Sequence, residues 1–101
     1  MLISAGFDAH RADPLAELGL SSGDFAALAR TVAGYAPRPG RVVALLEGGY
    51  DLGALRDSVA ATLGALASVP EPAGAEHATS GGPGAELVDR ASEARRRALG
   101  L

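Results

Sequence analysis

The spacing of apolar residues predicts a strand at the start of the chain and an irregular segment after it. Residues 2–5 are an apolar run followed by Gly6, which is typical of a short strand ended by a turn. Residues 7–20 lack regular spacing and contain turn formers such as Asp13-Pro14. We therefore expect a long, ordered loop between this strand and the next element.

A helix is predicted over about residues 22–36. Ser21 is a favourable N-cap and Asp24 stands three residues later, as in a capping box. Pro37 ends the pattern. The apolar face follows helical spacing through Phe25, Leu28, Ala29 and Val32.

The longest apolar run predicts a second strand over residues 41–46. Such a continuous run is typical of a strand that is buried on both faces, so it requires neighbours on either side. The segment Glu47-Gly48-Gly49-Tyr50 breaks the run, and apolar spacing then predicts a helix over about 51–67. Asp51 is its expected N-terminal cap.

The rest of the chain divides into a linker and a final helix. Residues 69–84 are rich in proline and glycine and are expected to form a flexible linker. Residues 85–98 predict a weakly apolar helix with Arg95, Arg96 and Arg97 at its negative end. The expected organisation is thus an α/β segment (1–68), a linker (69–84) and a C-terminal helix (85–101).

The order strand, helix, strand, helix predicts an α/β fold with parallel strands. Two strands are too few for a buried parallel sheet, so we expect residues 1–68 to be the C-terminal part of a larger α/β domain. Both irregular segments leave the carboxyl ends of strands, where open α/β sheets bind ligands. Asp8 and Tyr50 are therefore expected at one edge.

Composition excludes several classes of protein. The 101 residues include 9 Arg and no Lys against 12 acidic residues, a formal charge of −3, and the arginines form no basic stripe for nucleic acid. The absence of cysteine excludes disulfides and a cysteine nucleophile. No apolar run approaches a membrane span and no signal-type segment follows Met1, so we expect a cytoplasmic protein without membrane contact.

Two short motifs could carry chemistry. Asp8 and His10 stand at i and i+2 and could both ligate zinc, but two ligands are not a site, and the other histidine, His77, lies in the linker. The alternative is that Asp8 caps a turn and His10 is a partly exposed loop residue. The pair Gly48-Gly49 could receive a phosphate at a helix N-terminus, although it lacks a nucleotide-binding signature; the alternative is glycine required only for positive φ.

Longer sequence segments that contain these two motifs are more specific than the motifs alone. Residues 4–15, 18–20 and 45–52 closely resemble the C-terminal third of the histone deacetylase family, whose bacterial members include acetoin-utilisation proteins and acetylpolyamine amidohydrolases. The resemblance covers about residues 2–68. It implies a partial arginase/deacetylase-like fold, in which a complete domain is a zinc-dependent amidohydrolase that removes acyl groups from lysine or polyamine nitrogens.

The resemblance also implies a role for each matched residue. Asp8 would be one of three zinc ligands, and Tyr50 would donate its hydroxyl to the oxygen that becomes negative in the tetrahedral intermediate. The other implied positions are Gly48, Gly49 and Leu15 along the substrate channel, and His10 and Asp13 supporting the loop without binding metal.

This chain also departs from the family pattern. No residue matches the other two zinc ligands or the general-base histidine pair, which come from upstream sequence in the family. The loop reads Arg11-Ala12-Asp13-Pro14, where the family has glycine before the aspartate. We therefore expect the isolated chain to be inactive: it is either a piece of a whole enzyme or must borrow the missing residues from another chain. The rival interpretation is a non-catalytic module that docks onto a partner; a small phosphate-binding domain is a third.

Overall fold

The computed structural model describes residues 1–101 and has an α/β fold. Two parallel strands, β1 (Leu2–Gly6) and β2 (Val43–Gly48), form the sheet. The three helices are α1 (Ser22–Ala33), α2 (Leu52–Leu66) and α3 (Ala85–Ala98). The predicted element order, fold class and parallel pairing are confirmed. None of the helices has the length and apolar character needed to cross a membrane.

The register of the two strands explains why β2 lies later in the chain than expected. Leu2 pairs with Val43 and Gly6 with Gly48, with an irregularity between Ala5 and Gly6. The N–H of Phe7 then donates to the Gly48 carbonyl at 2.7 Å. The predicted end at residue 46 is therefore wrong by two residues, because the backbone of the first glycine continues the ladder.

Both central helices begin at the predicted caps. The Ser21 hydroxyl accepts the Asp24 N–H while the Asp24 carboxylate accepts the Ser21 N–H, which completes a capping box. Asp51 caps α2 by accepting the Ala54 N–H at 2.8 Å. The first helix ends at Ala33 rather than at residue 36, because residues 34–40 form turns.

The core lies where α1 packs against α2 and against the loop after β1. Phe7 from the loop and Phe25 from α1 meet edge to face, with ring centroids 5.0 Å apart and planes at 76°. The remaining buried hydrophobic residues are Ala26, Ala29 and Ala54. Buried polar residues accompany them: His10, Asp13, Ser21, Ser22, Ser58 and Thr62.

The sheet, by contrast, is poorly covered. Val43, Leu45 and Leu46 are 54%, 54% and 63% exposed, so the burial on both faces that their pattern predicts does not occur in this chain. The physical reason is that no helix packs on either face of this two-stranded sheet: α1 and α2 contact each other, and the two strands contact each other. The last helix, α3, also has no buried residue.

The segment between α2 and α3, where a linker is expected, contains no helix or strand. Its flexibility stays a prediction. Residues 76–79 are hydrogen-bonded to the start of α1, so this part of the segment contacts the folded core.

Candidate active site at the strand ends

The carboxylate of Asp8 lies over the carboxyl ends of both strands. Its Oδ1 is 3.1 Å from the position that a Cβ would take at Gly6, and 3.1 Å from the corresponding position at Gly48. The two strands therefore end in residues that leave room for this carboxylate. Asp8 is half-buried and makes no hydrogen bond within the chain, so the alternative in which it caps a turn is not what the structure contains.

Tyr50 leaves the same edge from the neighbouring strand. It follows Gly49, whose φ of +132° lies in the region that favours glycine. A Cβ there would come within 3.0 Å of the Leu55 side chain and 3.2 Å of Phe7 Cβ. The Tyr50 side chain is 57% exposed. The structure thus brings Asp8 and Tyr50 to one edge of the sheet, and both are reached by solvent.

Asp13 connects the loop to the turn after β2. Its Oδ1 accepts the N–H groups of Leu15 and Ala16 at 2.8 and 3.3 Å, and its Oδ2 accepts the N–H of Tyr50 at 2.9 Å. Burial opposes the charged form, but these backbone donors outweigh it and hold the pKa of Asp13 below its ordinary value. Asp13 therefore fixes the backbone from which the Tyr50 ring projects.

His10 is buried rather than partly exposed, with 6% of its surface accessible. Its Nδ1 accepts the Ala12 N–H at 3.0 Å, so the ring proton is assigned to Nε2, which donates to Glu76 at 3.1 Å. Both ring nitrogens are occupied within the protein. This arrangement does not leave His10 free to join Asp8 as a metal ligand.

The remaining predicted channel residue, Leu15, is 68% exposed beside the Asp13 turn. The roles of Leu15, Gly48 and Gly49 towards a substrate stay predictions.

A catalytic zinc does not fit the donor set of this chain alone. Such a site takes about three protein ligands and an open position. No three histidine, aspartate or glutamate side chains come together in an arrangement that could hold a metal ion. Asp8 is one carboxylate at the strand ends, and further ligands would have to come from elsewhere.

Sequence reasoning missed a polar cluster on the other side of the loop. Glu76 accepts the Ser22 N–H, and the Ser22 and Ser58 hydroxyls lie 3.2 Å apart. Spacing gave no signal for Glu76, because it stands in a proline- and glycine-rich segment. The serine at 58 does share a helix face with Ala54 and Thr62, which indicated only that this face packs inward.

A family model described as the histone deacetylase domain matches residues 1–66. "Histone deacetylase 10, chloroplastic" of Oryza sativa subsp. japonica is 46% identical over 72 residues, covering 69% of this chain and 16% of the rice protein. "Polyamine deacetylase HDAC10" of Homo sapiens is 40% identical over 72 residues, covering 71% of this chain and 10% of the human protein.

A solved structure titled "Crystal Structure of HDA15 HD domain" superposes with a TM-score of 0.62 at 29% identity, covering 74% of this chain and 21% of that chain. The chain therefore spans a fifth or less of the length of these two curated relatives. The matched residues include both strands, α1, α2 and the Asp8 and Tyr50 edge. The chain belongs to the histone deacetylase family.

Proposed function

We propose that this chain is the C-terminal part of a zinc-dependent deacetylase domain and supplies one half of its active site. The observation that carries the proposal is the convergence of Asp8 and Tyr50 on one solvent-reached edge of a parallel sheet. The carboxylate lies over the two glycines that end the strands, and the phenol follows the second strand.

Each residue at this edge would have a separate task. Asp8 would be one ligand of a zinc ion, which in a complete site lowers the pKa of a bound water. The Tyr50 hydroxyl would donate a hydrogen bond to the acyl oxygen as negative charge develops on it. Asp13 would keep the Tyr50 backbone in place through the 2.9 Å hydrogen bond, so that the hydroxyl needs little reorganisation.

The proposed substrate is an acylated amine, either the side chain of a lysine or a polyamine. Family membership and the polyamine deacetylase among the relatives support this class. Gly48 and Gly49 would allow the backbone to approach the extended alkyl chain, and Leu15 would provide apolar contact at the entrance. The acyl group and the choice of amine are not specified by these residues.

The isolated chain is proposed to be inactive and to require a complementing polypeptide. One carboxylate without a general base supports this part of the proposal. The exposed apolar residues Val43, Leu45 and Leu46 favour association, because a parallel strand of this composition is normally covered on both faces. A cytoplasmic location stays a prediction.

A segment exchange tests the proposed function. Residues 1–68 would replace the corresponding segment of the human polyamine deacetylase, and zinc content and deacetylation would be measured. We expect an active, zinc-containing hybrid. Tyr50→Phe should lower kcat about 100-fold to 1,000-fold while zinc stays bound, and Asp8→Asn should weaken zinc binding and lower kcat by more than Tyr50→Phe does.

The chain provides matched controls for both substitutions. Tyr35→Phe changes the other tyrosine, which is 78% exposed at the end of α1, and Asp57→Asn changes an exposed aspartate of α2. Both should retain zinc and activity. A folded hybrid in which Tyr50→Phe and Tyr35→Phe have equal rates would contradict the assigned role of Tyr50.

The rival function, a non-catalytic docking module, is favoured by the same exposed strands. Size-exclusion chromatography of the 101-residue chain separates the two interpretations. A severed domain should associate or aggregate through its apolar sheet. A chain that stays monomeric at high concentration would favour an autonomous module.

A further inference from the structure

Residues 76–79, termed the strap, cross the N-terminal end of α1. The Glu76 carboxylate accepts the Ser22 N–H at 2.8 Å and the His10 Nε2–H at 3.1 Å, and it pairs with the Arg11 guanidinium. Three different donors therefore converge on one side chain. Two of them, His10 and Arg11, belong to the loop that carries Asp8.

A second carboxylate holds the other end of the strap. Asp24 of α1 accepts both the N–H and the hydroxyl of Thr79, each at 2.8 Å. Between the two ends, the Ser21 hydroxyl donates to the His77 carbonyl at 2.6 Å. The strap is thus fixed along its length.

Gly23 provides the seat for the strap. A Cβ at this position would come within 2.3 to 2.4 Å of backbone atoms of residues 76–78, which is closer than packed atoms can approach. The strap therefore excludes any side chain at residue 23, including the alanine that would favour a helix. The fit is specific to a backbone lying directly on α1.

Charge favours the same arrangement. The Ser22 N–H holds the pKa of Glu76 below its ordinary value against the opposing effect of burial, with help from His10 and Arg11. The carboxylate also lies at the N-terminus of α1, where the helix dipole stabilises negative charge. The ionised form of Glu76 is therefore the one that the strap requires.

The cluster is not a separate hydrolytic triad, although serine, histidine and glutamate are all present. The Ser22 Oγ is 3.5 Å from His10 Nε2, the same nitrogen that donates to Glu76. The other ring nitrogen accepts the Ala12 N–H. His10 therefore has no free acceptor for a serine proton, and a nucleophile is not generated.

We propose that the strap is a positioning element of the deacetylase edge and that Glu76 is a positioning residue, acting on Asp8 through His10. The strap lies outside residues 1–66, which match the family model, so it extends the site with a part of the chain that the match does not include. Its catalytic meaning rests on the proposed function above. The hydrogen bonds of the strap do not depend on that function.

Glu76 acts on Asp8 through the backbone of one turn, because the His10 N–H donates to the Phe7 carbonyl at 3.1 Å and so closes the turn that contains Asp8. His10 stands two residues after Asp8, and its Nδ1 fixes the following turn through Ala12. The ends of the loop are joined by Arg11 N–H to Leu20 and Leu20 N–H to Ala9, at 2.8 and 3.0 Å. Loss of the Glu76 contacts should therefore loosen the loop before it loosens the helices.

Amide hydrogen exchange on the full 101-residue chain tests this inference without metal or substrate. The variants are Glu76→Ala and Gly23→Ala. The matched controls are Glu71→Gln, which removes an exposed partner of Arg30 from the same linker, and Gly64→Ala, a helical glycine with open space around it.

Both test variants should speed exchange of the Ala12, Leu20 and Ser22 amides about tenfold or more, while amides of α2 stay unchanged. The slowly exchanging Nε2–H resonance of His10 should be lost in Glu76→Ala and partly restored in Glu76→Gln. The two controls should leave loop amides and the His10 resonance as in the unsubstituted chain.

Three results would overturn the inference. They are unprotected loop amides in the unsubstituted chain, unchanged loop exchange in Glu76→Ala, and an equal increase at every amide, which would indicate global stability rather than positioning. None of them depends on deacetylation. A failed segment exchange would instead refute the proposed function and leave the strap's structural role standing.

Discussion

The helical half of the molecule and its sheet differ in how completely they are satisfied. All buried residues lie in the loop after β1, in α1 or in α2, and none lies in either strand or in α3. The helical half buries its polar groups with partners, with the Thr62 hydroxyl as the exception. The sheet exposes apolar side chains that the sequence pattern predicts to be buried.

This difference separates what the chain builds by itself from what it offers to other polypeptide. The loop, α1, α2 and the strap form one packed unit that supports Asp8 and Tyr50 from behind. Val43, Leu45 and Leu46 of β2 and the Tyr50 ring are largely exposed, and Asp8 is half-buried at the strand ends.

The largest expected effect is the loss of the aromatic pair in the packed half. Phe25→Ala removes the edge-to-face contact with Phe7 and leaves a cavity, which should lower the free energy of unfolding by about 3 to 5 kcal/mol or leave the chain unfolded. Urea denaturation measures it. Tyr35→Ala, at a 78% exposed aromatic, should change the free energy of unfolding little; equal losses would contradict a core centred on this pair.

The sheet should respond to substitution only when it is covered. Leu46→Ala, at a residue 63% exposed in this chain, should change the free energy of unfolding of the isolated chain by less than about 0.5 kcal/mol. In the segment-exchanged deacetylase the same substitution should cost about 2 kcal/mol or more. Thermal unfolding of both proteins makes the comparison, and equal effects would show that β2 is no more buried in the complete domain.

The cap of α2 should have a smaller effect. Asp51→Ala removes the acceptor of the Ala54 N–H and should lower the free energy of unfolding by about 1 kcal/mol. The control is Asp57→Ala, on the exposed side of the same helix. Chemical denaturation measures the free energy of unfolding of both variants. Equal losses would contradict the role of Asp51 as the cap.

The pH dependence should be the smallest effect. The pKa values of Glu76 and Asp24 are lowered in the folded protein, so the unfolded chain binds more protons as pH falls below about 4.5. Stability should therefore be complete above the unfolded pKa and decline as pH falls through the folded pKa.

Glu76→Gln should reduce that decline by about 1 kcal/mol or less between pH 5 and about 3, because this partly exposed carboxylate no longer titrates. Denaturation curves across this range measure the slope. Glu71→Gln is the control, and an identical slope for both variants would argue against the strap contact.

Local signals made much of this fold predictable. Ser21 with Asp24, Asp51 and the apolar run before Gly48 are short-range patterns, and each produced the expected element. The parallel order of the strands also predicted that Asp8 and Tyr50 lie at one edge. The two caps were predictable because hydrogen bonding within a few residues decides them, and the strand pairing was predictable because the order strand, helix, strand favours parallel neighbours.

The strap could not be predicted in the same way. Its contacts join Glu76 to His10 across 66 positions, and nothing in a proline- and glycine-rich segment indicates such a partner. The contact at Gly23 could not be predicted either, because a glycine in a helix indicates a close approach but not which segment approaches. The exposure of β2 also could not be predicted, because the sequence of a strand does not show whether helices cover its faces.

The most direct test of the central claim, that Asp8 and Tyr50 belong to one site, is a double-substitution cycle in the segment-exchanged deacetylase. The rate constant kcat would be measured for Asp8→Asn, Tyr50→Phe and the two combined. If both side chains serve the same reacting centre, the combined variant should be about as slow as Asp8→Asn alone. Losses that multiply, as for two independent sites, would contradict the account.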